Sequence, residues 1–442
     1  MLRNLKESYN AEFSAPRTKE FIFFTSNVDN FLFKKDEDVE IFAASTVRTM
    51  APVFKVSRNL ILTPFYVSQA EGGTSYIWSM KVDKNLLAPG FYDIQVSADL
   101  GNGRNVMGYC TFGYNVEHML LDVDKPGDFN DFWKKSMKKL DNVELDVICG
   151  ERTVYTSGQI DDYNLAEASL IMDYDPEGHV YEEVESYELS FMSVNGLRIH
   201  GWFARPVTEE KCPAMLILPG AGFNHRSRPL EHARHGYAAL DIQVHGQQLD
   251  GEMNVPTRAS IDYEDTGFGQ EHYYNDIYLH CVQAVNYLCS REDIDHSHII
   301  AVGGSQGGRL SIATAALDKR ITAVVAGIVH YANLPYIHWA DDVNRRGGDG
   351  FEEEYWNFAQ ERVLSELYYD VANFAKEVTC PVLLNGGLID RISPPEGVLS
   401  VYKGVRSSRK KLVWLANIGH DWSYRFDIDA WKWLREIRME KK

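Results

Sequence analysis

Residues 299–310 read IIAVGGSQGGRL, and the way this stretch divides decides the fold. Its first four residues continue an apolar run, as a strand covered on both faces of a parallel sheet requires. Gly303, Ser305 and Gly307 then fit G-x-S-x-G, and the run GGRLSIATAALD that follows reads as a helix. Strand, sharp turn and helix are the context in which this motif lifts a serine hydroxyl above the end of a sheet. Glycines two before and two after the serine let the flanking backbone approach without a Cβ in the way. The N–H of Gln306, at the start of the expected helix, is the first expected donor to an oxyanion.

Further apolar runs lie on either side: AMLILPG (214–220) and YAALDIQV (237–244) before the motif, ITAVVAGIV (321–329), PVLLNGGL (381–388) and KLVWLANI (411–418) after it. Between the second run and the motif, Ile277, Cys281, Ala284, Val285 and Leu288 fall on one face of a helix. Strands alternating with helices predict a parallel sheet of βα units. Upstream, residues 187–206 read as a hairpin turning at Asn195-Gly196.

A serine hydroxyl is a weak nucleophile and needs a base. His420, in Asn417-Ile418-Gly419-His420-Asp421, follows the last apolar run and is the candidate. Asp390 follows the penultimate run, in Gly386-Gly387-Leu388-Ile389-Asp390, where it would orient the imidazole. The order Ser305, Asp390, His420 is that of the α/β-hydrolases and not that of chymotrypsin or subtilisin. A second oxyanion donor is expected from the loop 218–224, with Gly220 as first choice and Ala221 as second. His225, His232, His235, His296 and His298 lack a strand-end position and read as surface or structural. No carboxylate or cysteine cluster accompanies them, so neither a metal nor a cofactor is expected.

The 442 residues exceed the ~250–300 at which one core stops growing, which predicts two domains. Residues 1–120 read as an all-β, immunoglobulin-like sandwich. Its short strand-like runs are EFIFFTS, DVEIFAAS, NLILTPFYVS, TSYIWSMKV, GFYDIQVSA and VMGYCTFGY, separated by turn residues. Pro126-Gly127 marks the boundary, followed by the amphipathic stretch DFNDFWKKSMKKLDN with Phe129, Phe132, Trp133, Met137 and Leu140 at helical spacing. The predicted fold class is thus α/β: residues 121–442 form an α/β-hydrolase domain with a mostly parallel central sheet, behind the sandwich. An insertion at about 330–378 is expected to form a helical cap, carrying Tyr331, Tyr336, Trp339, Tyr355, Trp356 and Phe358. Phe223, Gln247, Tyr331 and Trp339 are candidate substrate contacts. Glu352, Glu353 and Glu354 read as a solvated helix face.

The formal net charge is 45 − 63 = −18. An acidic surface repels phosphate backbones, which excludes nucleic acid as the expected partner and disfavours polyanionic substrates. Neutral sugar esters and small acyl compounds fit, and a homo-oligomer is left open. The six cysteines form no C-x-x-C pair and read as small hydrophobes. No run reaches the ~18 apolar residues of a membrane span, and the first residues show no apolar leader. As written the chain is expected in the cytoplasm; a chain already cleaved of its leader, periplasmic or secreted, would read the same.

Four pieces resemble the acetyl xylan esterase and cephalosporin C deacetylase family, carbohydrate esterase family seven. Asp128-Phe129-Asn130-Asp131-Phe132-Trp133 is similar to its D-F-x-x-F-W helix, and Gly303-Gly304-Ser305-Gln306-Gly307-Gly308 to its nucleophile elbow. His245-Gly246-Gln247 stands where the family carries R-G-Q, and His420-Asp421 where it carries H-E. The resemblance covers roughly residues 126–442. It implies a metal-free Ser-His-Asp esterase acting on small acetyl esters of carbohydrate. His245 for arginine, Asp421 for glutamate, and Gly220 where the family often has a tyrosine are departures from the pattern. The β-rich leading region is an addition to the basic family enzyme.

Three other readings remain open at the level of sequence. An acyl-CoA thioesterase or acyltransferase also pairs a sandwich with such a domain. A prolyl oligopeptidase-type peptidase has a similar elbow, although some 120 leading residues are too few for a propeller. A catalytically dead glycan-binding protein is the reading from outside enzymology.

Overall fold

The computed structural model describes residues 20–69, 75–167, 171–172, 181–222, 225–250, 272–346 and 364–439. In the leading region, alternating sequence makes strands with one buried face. VEIFAAS turns Val39, Ile41 and Ala43 inward and leaves the residues between them half-exposed. Among the described residues of this region there are eight strands: β1 (Ile22–Ser26), β2 (Leu32–Phe33), β3 (Val39–Ser45), β4 (Met50–Arg58), β5 (Tyr66–Gln69), β6 (Ile77–Val82), β7 (Gly90–Asp99) and β8 (Asn105–Tyr114). They form a three-stranded sheet, β1-β3-β6, and a five-stranded sheet, β2-β8-β7-β4-β5. Ile41 and Met80 of the first share a core with Phe54, Ile94 and Phe112 of the second.

Two expectations for this region need correction. The strand β4 was not among the runs read from sequence, because Ala51-Pro52 interrupts the pattern. The ladder to β7 accommodates the proline by a register shift between Met50 and Val53, one of the few places in a sheet that tolerates a missing N–H. Conversely, most of NLILTPFYVS is not strand. Leu60 takes φ 65° and Leu62 is 75% exposed, and only Tyr66–Gln69 pairs with β4.

Among the described residues, the remaining strands build a third, ten-stranded sheet. They are β9 (Ile148–Cys149), β10 (Thr153–Thr156), β11 (Glu183–Met192), β12 (Arg198–Pro206), β13 (Cys212–Leu218), β14 (Ala238–Ile242), β15 (Ile294–Gly304), β16 (Ala323–Gly327), β17 (Val382–Gly387) and β18 (Lys410–Leu415). Their order is β10-β11-β12-β14-β13-β15-β16-β17-β18, with β9 beside β11. The hairpin β11–β12 turns at Asn195-Gly196, both at positive φ. From β14 to β18 every neighbouring pair is parallel, so the C-terminal ends of β15, β17 and β18 share one edge.

Among the described residues, the helices of five or more residues are α1 (Phe129–Met137), α2 (Ser157–Ala166), α3 (Leu230–Arg234), α4 (Tyr273–Ser290), α5 (Gln306–Leu317), α6 (Leu334–Arg346), α7 (Val371–Ala375), α8 (Pro395–Gly404) and α9 (Tyr424–Met439). They cover both faces of the sheet. Ala214, Leu216 and Leu218 of β13 pack with Trp133 of α1, Val285 of α4, Leu310 of α5 and Phe374 of α7. Met215 and Ile217 point the other way, against Phe426, Trp431 and Leu434 of α9. This two-sided cover is why the strands read as largely apolar runs, with Asp241 of β14 and Asn385 of β17 as buried polar exceptions. Of the insertion, residues 330–346, which include α6, and residues 364–378 are described. Tyr355, Trp356, Phe358 and the run Glu352 to Glu354 lie outside the described residues. Among those described, no helix is long and apolar enough to cross a membrane.

Candidate active site

Ser305 stands between β15 and α5 at φ 57°, ψ −120°, a backbone conformation that costs a non-glycine residue of order 1–3 kcal/mol. The surroundings hold it there. Its N–H donates to Gly327 O at 3.0 Å, and its carbonyl accepts from the N–H groups of Arg309 at 3.1 Å and His330 at 3.3 Å. Both motif glycines are demanded by contact. A Cβ on Gly303 would lie 2.3 Å from the carbonyl of Gly307, and one on Gly307 would lie 2.2 Å from Leu218 O.

His420 and Asp390 come from the loops after β18 and β17. His420 Nε2 lies 2.8 Å from Ser305 Oγ, and Nδ1 lies 2.8 Å from Asp390 Oδ2. The second oxygen, Oδ1, accepts the N–H groups of Ile392 at 2.9 Å and Ser393 at 2.8 Å. Asp390 is fully buried, whereas the His420 side chain keeps 20% exposure and Ser305 is partly exposed. With the carboxylate accepting from Nδ1–H, Nε2 is left as the acceptor facing the hydroxyl.

Gln306 opens α5, so its N–H belongs to the first turn, where no intrahelical acceptor exists. Its side chain is buried in a polar chain. Tyr274 donates its hydroxyl to Gln306 Oε1 at 2.8 Å, and Gln306 Nε2 donates to Gly220 O at 3.4 Å and faces His245 Nε2 at 3.1 Å. His245 Nδ1 meets the Tyr273 hydroxyl at 2.6 Å. Burial pulls the His245 pKa down to about 4, with the Gln306 contact opposing. The ring is therefore neutral near pH 7. Because Gln306 donates to Nε2, the proton sits on Nδ1. This chain ties the Gly220 loop to the elbow.

The other expected contacts fall differently. Gln247 is wholly buried, and its Oε1 accepts the His245 N–H at 2.9 Å. It braces a turn and presents no surface to a ligand. Tyr331 is also buried, at φ 63°. Its ring covers the Arg309 guanidinium at 3.9 Å, opposite Tyr274 at 3.6 Å. Both side chains are thus buried within the protein, unlike the exposed contacts expected from the sequence. Trp339 is 44% exposed on α6, beside Tyr336. Phe223 lies outside the described residues.

Several residues around the site carried no signal in the sequence. Trp422, two residues past His420, packs where a Cβ on Gly304 or Gly327 would be, at 3.0 and 2.6 Å. Asn385 donates to Trp422 O at 3.1 Å and accepts Ile328 N–H at 3.0 Å, joining the β16 end to the histidine loop. His330 hydrogen-bonds Ile392 O through Nδ1 at 3.1 Å, and burial pulls its pKa down to about 4. None of the three has a spacing that would mark it. Among the described residues no three His, Cys, Asp or Glu side chains gather as a metal ligand set.

Comparison with known proteins adds to this geometry. The acetyl xylan esterase (AXE1) family pattern matches residues 158–437, more than half of the chain. Acetyl esterase Axe7A of Xylanibacter ruminicola is 29% identical over 338 residues, covering 74% of this chain and 70% of its own. Among solved structures, an acetyl xylan esterase from a Paenibacillus species superposes with a TM-score of 0.54 at 22% identity. It covers 72% of this chain and 96% of that one. Acetyl xylan esterase 1 from a Thermoanaerobacterium species gives 0.51 at 24%, with 71% and 94% covered. These two structural likenesses speak for the fold.

Proposed function

The chain belongs to the acetyl xylan esterase family and is a carboxylic ester hydrolase, and from that premise we propose that it removes acetyl groups from xylan or its oligosaccharides. The similar proteins named above are an acetyl esterase and acetyl xylan esterases, and the acidic chain suits a neutral sugar ester. The observation that carries the mechanism is the unbroken chain of two 2.8 Å contacts from Asp390 through His420 to Ser305.

In this reading Ser305 Oγ attacks the acetyl carbonyl carbon while His420 Nε2 takes the hydroxyl proton. Asp390 holds Nδ1–H and stabilises the imidazolium. The N–H groups of Gln306 and the Gly220 loop bind the oxyanion. As the tetrahedral intermediate collapses, the bond to the sugar oxygen breaks, His420 passes its proton to that oxygen, and the acetyl group stays on Ser305 as an ester. Water, deprotonated by His420, then attacks the acyl-enzyme and releases acetate.

The test compares acetate release from acetylated xylo-oligosaccharides with turnover of acetyl-CoA and dipeptide substrates. Acetyl sugar should be preferred, and Ser305→Ala should abolish both turnover and labelling by a fluorophosphonate. Faster thioester or peptide cleavage would overturn the substrate, and labelling that survives in Ser305→Ala would overturn the nucleophile.

A further inference from the structure

The leading sandwich has no part in the mechanism above, yet both loops that carry Asp390 and His420 end against it. Arg391, next to Asp390, donates from Nη2 to Asp93 Oδ2 of β7 at 2.9 Å and to the Tyr109 hydroxyl of β8, and its guanidinium lies 4.7 Å from the Tyr109 ring centre. Asp93 is 3% exposed, and Thr111 donates its hydroxyl to the other oxygen at 2.9 Å. The anchor is therefore a buried, oriented carboxylate and not a solvated rim charge. On the histidine loop, Asn417 at φ 56° donates from Nδ2 to Phe24 O of β1 at 3.2 Å.

A third tie lies just beyond the acid loop. Asn59 donates to Glu396 Oε2 at 3.0 Å, and the Tyr336 hydroxyl of α6 donates to Oε1 at 2.9 Å. Apolar contact completes the joint. Leu388 and Leu399 belong to the core of the sandwich, and the Phe91 ring meets Trp414 at 5.4 Å. Loops are by default the mobile parts of a fold. A displacement of about 1 Å in a catalytic group can cost about a hundredfold in rate. Asp390 is locked within its own turn by Ile392 and Ser393, so the turn moves as one body, and what fixes that body from the far side is Arg391 on Asp93.

We propose that the sandwich is a positioning element of the active site, with Arg391 on Asp93 and Asn417 on the Phe24 carbonyl holding the Asp390 and His420 loops in register with Ser305. This rests on the triad reading given above. Arg391 and Asn417 are positioning residues; neither touches the reacting atoms.

The test uses the full-length chain and p-nitrophenyl acetate, with kcat, KM, the pH profile of kcat/KM and the melting temperature measured for Arg391→Ala, Arg391→Lys, Asn417→Gly and Ser305→Ala. Glycine keeps the left-handed backbone at 417 and deletes only the side-chain contact. Arg391→Ala and Asn417→Gly should each lower kcat about tenfold or more with KM within about twofold. They should also move the acidic limb of the profile, since the imidazole loses its fixed carboxylate. Arg391→Lys should recover most of the rate. Should Arg391→Ala fold poorly with Asp93 left unpaired, Asn417→Gly and Arg391→Lys decide the matter. A kcat and an acidic limb that stay at wild type, whether or not the melting temperature falls, overturn the proposal while an inactive Ser305→Ala leaves the triad standing. An active Ser305→Ala would sink the triad reading instead.

Discussion

At the scale of single residues, the elbow is defined by what cannot be added to it. A methyl group on Gly307 would stand 2.2 Å from Leu218 O, with Pro219 O at 3.1 Å, and backbone oxygens at the end of a buried strand cannot step aside as a side chain can. Gly307→Ala should cost about 1–3 kcal/mol or more of stability and most of the activity, read by urea midpoint and by ester turnover. Gly127→Ala, with nothing within 4 Å of the added atom, is the matched control and should leave both unchanged. Legibility also differed residue by residue. Ser305, Asp390 and His420 could be picked out because each follows an apolar run, buried before Ser305 and Asp390 and half-exposed before His420, and the geometry puts them within hydrogen-bond reach. The burial of Gln247 and Tyr331 could not be read in advance, because polarity and aromaticity say nothing about exposure. Burial is a property of the packed chain, and here it encloses both.

At the scale of elements, the parallel strands were legible because burial keeps most of their positions apolar, with Asp241 of β14 and Asn385 of β17 as isolated polar exceptions. β4 was not, because a proline in a strand argues against one unless a ladder irregularity is already known. Helix α1 was legible from its aromatic spacing, and its anchor is Trp133. That indole donates to Tyr368 O at 3.0 Å and packs on Tyr278 and Phe374 with ring centres 5.4 and 5.1 Å away. Trp133→Ala should therefore destabilise the protein by about 3–5 kcal/mol, measured by chemical denaturation. Trp133→Phe should lose less, keeping part of the packing and forfeiting the hydrogen bond. The polar chain from Tyr273 through His245 to Gln306 and Gly220 was invisible in advance, since its members come from separate loops and helices.

At the scale of the whole molecule, buried titratable groups couple stability to pH in opposing directions. His232, His245 and His330 are pulled to about 4 and His280 to about 3, each mainly by burial. With native pKa values below the unfolded 6.5, the unfolded chain binds more protons, so their contribution is full above pH 6.5 and is lost as pH falls toward 4. Glu396 has the opposite sign: burial raises it to about 7 from 4.5, so its contribution is full below pH 4.5 and is lost as pH rises through 7. Removing that counterweight with Glu396→Gln should make the melting temperature fall more steeply on acidification from pH 7 to pH 5 than in the parent. An unchanged slope would show that the carboxyl ionises as freely folded as unfolded. Glu396 is also half of the Asn59 tie, which gives this joint a second consequence. Anyone building chimeras from relatives cannot treat the leading region as an interchangeable cassette. A transplanted sandwich would arrive with its own versions of positions 59 and 93, and would need matching partners at 391, 396 and 417 transplanted along with it.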